Sequence, residues 1–144
     1  MDPNPVFLRP TDTVITAALY IMRHRYRNLP VVDECGCYLG IFGVNCLLKQ
    51  VLPKAAVMDH GLEDVSFVQD TLADLHNRLR EVEDKPVTIC MNTEIATVPP
   101  DLPLVETLLI LYRTRTSVPV VAPGTCELLG MISYWDVGEK ILSA

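Results

Sequence analysis

The chain has 144 residues, enough for one domain or for two small units that share a core. Its apolar fraction of 49% supports a packed interior, and its net charge of −6 comes without the long basic stripe that sequence-independent nucleic-acid binding requires. No apolar run is long enough to span a bilayer and no basic stretch followed by an apolar core opens the chain, so a soluble, unsecreted, cytoplasmic protein with no membrane role is expected.

The acidity is local. Residues 59–101 carry ten acidic and three basic side chains, against four and six in residues 1–58. The five cysteines are odd in number and scattered, a pattern that favours reduced thiols over a disulfide framework. Cys35-Gly-Cys37 lacks a second ligand pair at metal spacing and falls where a hairpin turn is expected, so both read as incidental turn cysteines and no metal site is expected.

Met1 to Pro5 reads as a loose start, and Val6-Phe-Leu8 as a short strand. Pro10-Thr-Asp12 then opens a helix with Thr11 or Asp12 as its cap, and Val14, Ala17, Ala18, Ile21 and Met22 fall on one apolar face. Arg23, Arg25 and Arg27 crowd its end, where cations suit the helix dipole. Leu29–Val32 and Tyr38–Phe42 are predicted strands around a turn at Asp33–Gly36, and Val44–Val51 a short helix stopped before Pro53.

Residues 53–86 form a linker. Met58 to Glu63 is polar, and Phe67 opens an amphipathic helix with Val68, Leu72, Leu75, Leu79 and Val82 on one face. That face can pack on its own domain or on a partner chain; the first is preferred. From Val87 onward the pattern of the first segment returns. Ile95–Val98 is a strand, Asp101 a helix cap, and Leu104, Leu108, Leu111 and Tyr112 a buried face closed by Arg113 and Arg115. Val118–Val121 and Leu128–Ile132 are strands, and Tyr134–Leu142 is the last helix.

Two copies of one unit are therefore present. Asn28-Leu-Pro-Val-Val-Asp33 with Leu39-Gly-Ile-Phe42 and Gly43-Val-Asn-Cys46 corresponds to Ser117-Val-Pro-Val-Val121 with Leu129-Gly-Met-Ile132 and Ser133-Tyr-Trp-Asp136. Each copy reads β-α-β-β-α. So few strands cannot cover both sheet faces alone, and pairing the copies about a local two-fold axis supplies the missing cover. The pairing also makes clefts lined by strand ends and helix N-termini, which favour anionic groups.

These two motifs, with Val87-Thr-Ile-Cys-Met91 ahead of the second, resemble a tandem pair of CBS domains, the assembly called a Bateman module. The resemblance covers residues 1–52 and 87–144 as the two repeats. It implies an α/β (α+β) fold and a stand-alone regulatory module that binds an adenosine-containing ligand (AMP, ADP, ATP or S-adenosylmethionine) between the repeats. It further implies a homodimer that signals to a target enzyme, transporter or channel.

In the resembled family a Ser or Thr followed three residues later by Asp holds the ribose, a carboxylate accepting from a vicinal diol. The second copy has both residues, Ser133 and Asp136, with Thr97 on the preceding strand. Backbone groups around Val118 and Pro119 would meet the adenine edge, and Met131 and Ile132 its face. The same Ser-x-x-Asp spacing is that of a helix capping box, and the two roles are compatible. The first copy carries Phe7, Gly43 and Cys46 at the corresponding positions, which predicts one nucleotide per chain. Arg25, Arg27, Arg113, Arg115 and Lys140 are phosphate candidates by charge. Trp135, where a basic residue is frequent, favours AMP over a polyphosphate and can stack on a base or pack at a dimer surface.

Two other classes compete. No Gly-rich phosphate loop, nucleophile elbow or HExxH motif is present, and His24, His60 and His76 have no catalytic spacing, so an enzyme is not expected. A ligand-free structural dimerisation module is the stronger alternative.

Overall fold

The computed structural model describes residues 6–52 and 71–143. The first repeat consists of helix α1 (Val14–His24), strands β1 (Asn28–Val32) and β2 (Tyr38–Gly43), and helix α2 (Val44–Val51). Helix α3 (Leu72–Val82) and a 3-10 turn (Val87–Ile89) follow. The second repeat has helix α4 (Leu104–Thr114), strands β3 (Val118–Val121) and β4 (Leu128–Ile132), and helix α5 (Tyr134–Ser143). The doubled helix-hairpin-helix pattern and the two small sheets bear out the mixed fold read from the sequence.

Each hairpin is antiparallel with matching register. Leu29 lies opposite Phe42 and Pro30 opposite Ile41 in one; Val118 lies opposite Ile132 and Pro119 opposite Met131 in the other. The two expected opening strands shrink to single parallel bridges. Leu8 accepts from Val32 N–H and donates to Pro30 C=O, each at 2.8 Å, and Val98 makes the equivalent bonds to Val121 and Pro119 at 2.9 and 3.0 Å. The prolines sit where no ladder donor is lost, because it is their carbonyls that are used.

Two cores result. Val14, Ala17, Ile21, Leu29, Val31 and Phe42 fill the first, and Val98, Leu111, Val118, Val120 and Val137 the second. Val87 is fully buried in the first core, with Cys90 and Met91 packed against it, so the stretch read as the start of the second copy also covers the first repeat. Backbone bonds tie it there, from Val14 N–H to Lys85 C=O and from Val87 N–H to Asp12 C=O, at 2.9 and 2.8 Å.

Two helix caps and two helix faces differ from expectation. Thr13, not Thr11 or Asp12, caps α1 through its hydroxyl at 3.2 Å from Thr16 N, and Asp12 instead accepts from Arg9 N–H. Pro103 stands at the cap of α4 with no side-chain bond, so Asp101 plays no part. On α4 the buried face is Thr107 and Leu111, while Leu104 and Tyr112 are exposed; Thr107 is accommodated because its hydroxyl donates to Pro103 C=O at 3.2 Å. Met22 on α1 is likewise exposed.

Helix α3 begins at Thr71, whose capping box with Asp74 is complete. It lies on its own repeat: Leu79 packs against the first core, and Arg78 donates to Val51 C=O at 3.0 Å. Leu72 is exposed. The part of the linker containing Met58–Glu63, Phe67 and Val68, and the opening Met1–Pro5, lie outside the described residues.

The cysteine expectation is overturned at one pair. Cys37 and Cys126 are joined by a disulfide with their Cα atoms 4.7 Å apart. They sit on the two hairpin turns, which meet across the repeats, and 89 residues of sequence separate them. Cys35, Cys46 and Cys90 are free thiols.

Candidate functional site

A cleft of about 640 Å³ opens where the two repeats meet at the ends of the hairpins opposite their turns. Arg25–Pro30 forms one wall and Arg115–Ser117 the other, with Val6, Met131, Ser133, Trp135 and Asp136 completing it. An Asn28 Nδ2 bond to Thr116 Oγ1 ties the walls together. Neither residue stands out in a linear reading, because the bond joins positions 88 residues apart.

The walls are built the same way twice. Helices α1 and α4 both end on an arginine in the left-handed region, Arg25 with φ 57° and Arg115 with φ 57°. Their N–H groups close the helices on Ile21 and Leu111 carbonyls. Glycine is the usual residue there, and a side chain costs about 1 kcal/mol. That cost is retained at two equivalent positions that both face the cleft, and strain held in this way gathers at functional sites. Arg27 adds a third guanidinium, and Asp136 is the one carboxylate on the lining. The cleft is therefore electropositive within an acidic chain. Of the five cations named from the sequence, Arg25, Arg27 and Arg115 line it; Arg113 and Lys140 do not.

Ser133 and Asp136 form a reciprocal cap at the start of α5. Asp136 Oδ2 accepts from Ser133 N at 2.9 Å and from Ser133 Oγ at 3.1 Å, while Ser133 Oγ accepts from Asp136 N at 3.4 Å. The cap orients the carboxylate on the cleft wall, so capping and lining coexist. Trp135 is 83% exposed beside them. Met131 also lines the cleft. Val118 and Pro119 are buried in β3 off the lining, with Pro119 C=O accepting from Val98 N–H, and Thr97 is exposed and also off the lining. The structure thus brings together Met131, Ser133 and Asp136, and leaves Thr97, Val118 and Pro119 outside the cavity wall.

The first repeat is different in kind. Cys46 takes the place of the carboxylate and accepts from Gly43 N–H through sulfur at 3.4 Å. It is buried, and it lines a separate hollow of about 320 Å³ with Asn45, Lys49 and Cys90–Glu94. A Cβ at Gly43 would come within 3.0 Å of Arg27 O and 3.2 Å of Asn28 Cβ. A hydroxyl residue therefore does not fit there without moving the wall of the large cleft. Phe7 is half-exposed, with the Arg9 guanidinium 4.8 Å from its ring centre.

Burial without a partner appears away from the cleft. Tyr38 Oη is enclosed with no hydrogen-bond partner, and burial pushes its phenol up to about 12. Burial, with Cys46 nearby, pushes the Cys90 thiol up to about 11. Among the described residues no three His, Cys, Asp or Glu side chains gather as a metal site, and no helix is long and apolar enough to cross a membrane.

Doubled hairpins, matched helix ends and a cleft between the copies define a paired-repeat α+β module. The chain belongs to the CBS-domain family, whose model matches residues 1–52 and 79–143. No curated protein matches it by sequence. Among solved structures it is similar to the CBS-domain protein ATU1752 of Agrobacterium tumefaciens, at 20% identity and TM-score 0.64, over 96% of this chain and 90% of that one. It is similar to CBSX2 in complex with AMP, at 20% identity and TM-score 0.71, over 99% and 93%. Protein MJ1225 of Methanocaldococcus jannaschii is similar at 19% identity and TM-score 0.72, over 98% of this chain and 45% of that longer one.

Proposed function

We propose that the chain is a regulatory module that binds one adenosine nucleotide, AMP in preference to ADP, ATP or S-adenosylmethionine, in the cleft between its repeats. The observation that carries this reading is the grouping of three arginines, a capped carboxylate and an exposed indole around one inter-repeat cleft. Asp136 receives the ribose diol, Ser133 holds it in place, and the arginines take the phosphate. Met131 and Trp135 offer the base an apolar floor and a stacking face. AMP-bound CBSX2, of the same fold, supports an adenine nucleotide as the ligand class. Gly43 and Cys46 leave the first repeat without the diol-binding pair, hence one site per chain.

Isothermal titration with AMP is expected to give a stoichiometry of one. Asp136→Ala should weaken binding at least about tenfold, the loss of one charge-assisted contact. Two equivalent sites, or unchanged affinity in Asp136→Ala, would refute the assignment.

The module acts on a partner enzyme or transporter as a homodimer, joined through the exposed apolar faces of α4 (Val105, Leu109, Tyr112) and α5 (Ile141, Leu142). Nucleotide shifts the partner's state only as far as it prefers one arrangement of the repeats over another. The same exposed faces favour the second reading, a dimerisation module with no ligand. Thermal shift separates the two: a ligand at a hundred times its Kd adds about 2.7 kcal/mol of stability. No rise with any adenosine compound at millimolar concentration would leave the dimerisation reading standing.

A further inference from the structure

The seam between the repeats has a second anchor, at the hairpin turns. There Tyr38 N–H donates to Cys126 C=O at 2.7 Å, Leu128 N–H donates to Gly36 C=O at 3.0 Å, and the Cys37–Cys126 bond lies between them. Cys126 is exposed and Cys37 half-exposed, so a thiol in solution reaches the bond from outside. The free thiols separate into two kinds. Cys46 and Cys90 lie in or against the first core, whereas Cys35 is exposed on the same turn as Cys37. With the exposed Cys35 thiol, the surface pair makes up the accessible sulfur chemistry, and the disulfide joins the two repeats rather than two parts of one.

We propose that Cys37 and Cys126 form a reversible thiol–disulfide site through which a dithiol reductant unlocks the turn end of the inter-repeat seam. A reductant thiolate attacks the exposed Cys126 sulfur. The S–S bond breaks, Cys37 leaves as a thiolate and takes up a proton, and a mixed disulfide forms on Cys126. The second thiol of the reductant attacks its own sulfur in that mixed disulfide, and Cys126 leaves and is protonated. Two electrons and two protons pass to the protein, and the reductant departs as a disulfide. The two backbone bonds hold Cys37 beside Cys126, so Cys37 recaptures a monothiol adduct faster than a second monothiol arrives. A dithiol resolves internally and avoids that recapture. Sensing disulfides of this accessible kind are the ones that persist only transiently in reducing compartments.

This inference stands apart from the nucleotide reading, and its test needs no nucleotide. The full chain is oxidised, treated with dithiothreitol or with glutathione at equal thiol concentration, quenched with a maleimide in denaturant, and weighed. Of five cysteines, three are expected to label in the oxidised protein, with Cys37 and Cys126 linked in the peptide map. All five should label after dithiothreitol, and glutathione should lag. Hydrogen exchange at the Tyr38 and Leu128 amides should rise about tenfold or more on reduction, while exchange at Val31 in the first core stays slow. The Cys37→Ser/Cys126→Ser variant should match the reduced protein; should it not fold, reduced wild type serves in its place. Five adducts from oxidised protein, a different cysteine pairing, equal reduction by glutathione, or unchanged exchange at Tyr38 and Leu128 after full reduction would each overturn the proposal.

Discussion

At the residue scale the cleft trades backbone comfort for charge. Arg25 and Arg115 hold left-handed conformations that glycine would adopt without strain. Arg115→Gly should leave folding stability unchanged or raise it by up to about 1 kcal/mol, while the proposed AMP binding weakens about tenfold or more. Urea denaturation and titration calorimetry on the same sample read both effects. Tyr38 gives a second case. Its enclosed hydroxyl has no partner, so Tyr38→Phe should stabilise the protein by about 1 kcal/mol at neutral pH. The unfolded phenol ionises near 10 and the folded one only at about 12, so wild-type stability falls as pH rises through that window. Cys90, raised to about 11, adds its own alkaline loss in both proteins, and the difference between their denaturation curves isolates Tyr38. The Ser133/Asp136 pair was legible in the sequence because a cap is a short-range device three residues long. The left-handed arginines were not, because no local rule places arginine at that backbone position.

At the scale of single elements, burial and capping decide what each helix tolerates. Leu111 is fully buried in the second core and its neighbour Tyr112 is 74% exposed. Leu111→Ala should cost about 2–5 kcal/mol, and Tyr112→Ala close to nothing in the monomer. Helicity expected from periodicity held for α1 and α4, yet each face was offset by a residue or two at its edge. Met22 and Leu104 turn outward and Thr107 turns in, since periodicity states that a helix has an apolar face but not where the neighbouring sheet ends. Helix α3 depends on its first turn. Hydrogen bonds from the Thr71 backbone and side chain hold the Asp74 carboxyl below the usual carboxylate range, so that contribution is present at neutral pH and lost as pH falls through the lowered value. Thr71→Ala should lower the melting temperature by about 2–4 °C and flatten this acid-side dependence, as followed by circular dichroism.

For the whole molecule, two anchors at opposite ends of the hairpins fix how the repeats meet. Asn28 and Thr116 hold the cleft end; Cys37 and Cys126 hold the turn end. The disulfide spans 89 residues, a long loop whose closure restricts the unfolded chain, so reduction should cost about 2–4 kcal/mol. For a chain of this size that is a fall of roughly 5–15 °C in Tm, measurable by calorimetry with and without dithiothreitol. Assembly is tested on the outer face. Val105 is 76% exposed on α4, and if the proposed homodimer forms through this face, Val105→Glu should sediment as a monomer without unfolding.

The duplication, the hairpins with their turns, the order of helices and the capping pair on α5 can be read along the linear chain. Each of these is written in a few consecutive residues, where turn chemistry and periodicity act. Folding settles which arginines face the cleft, that a Cβ at Gly43 would crowd Arg27 and Asn28, that Val87 packs in the first core, and that Cys37 meets Cys126. Those outcomes arise from laying one copy against the other. Contacts between residues 88 or 89 positions apart leave no periodic trace in a chain read from end to end.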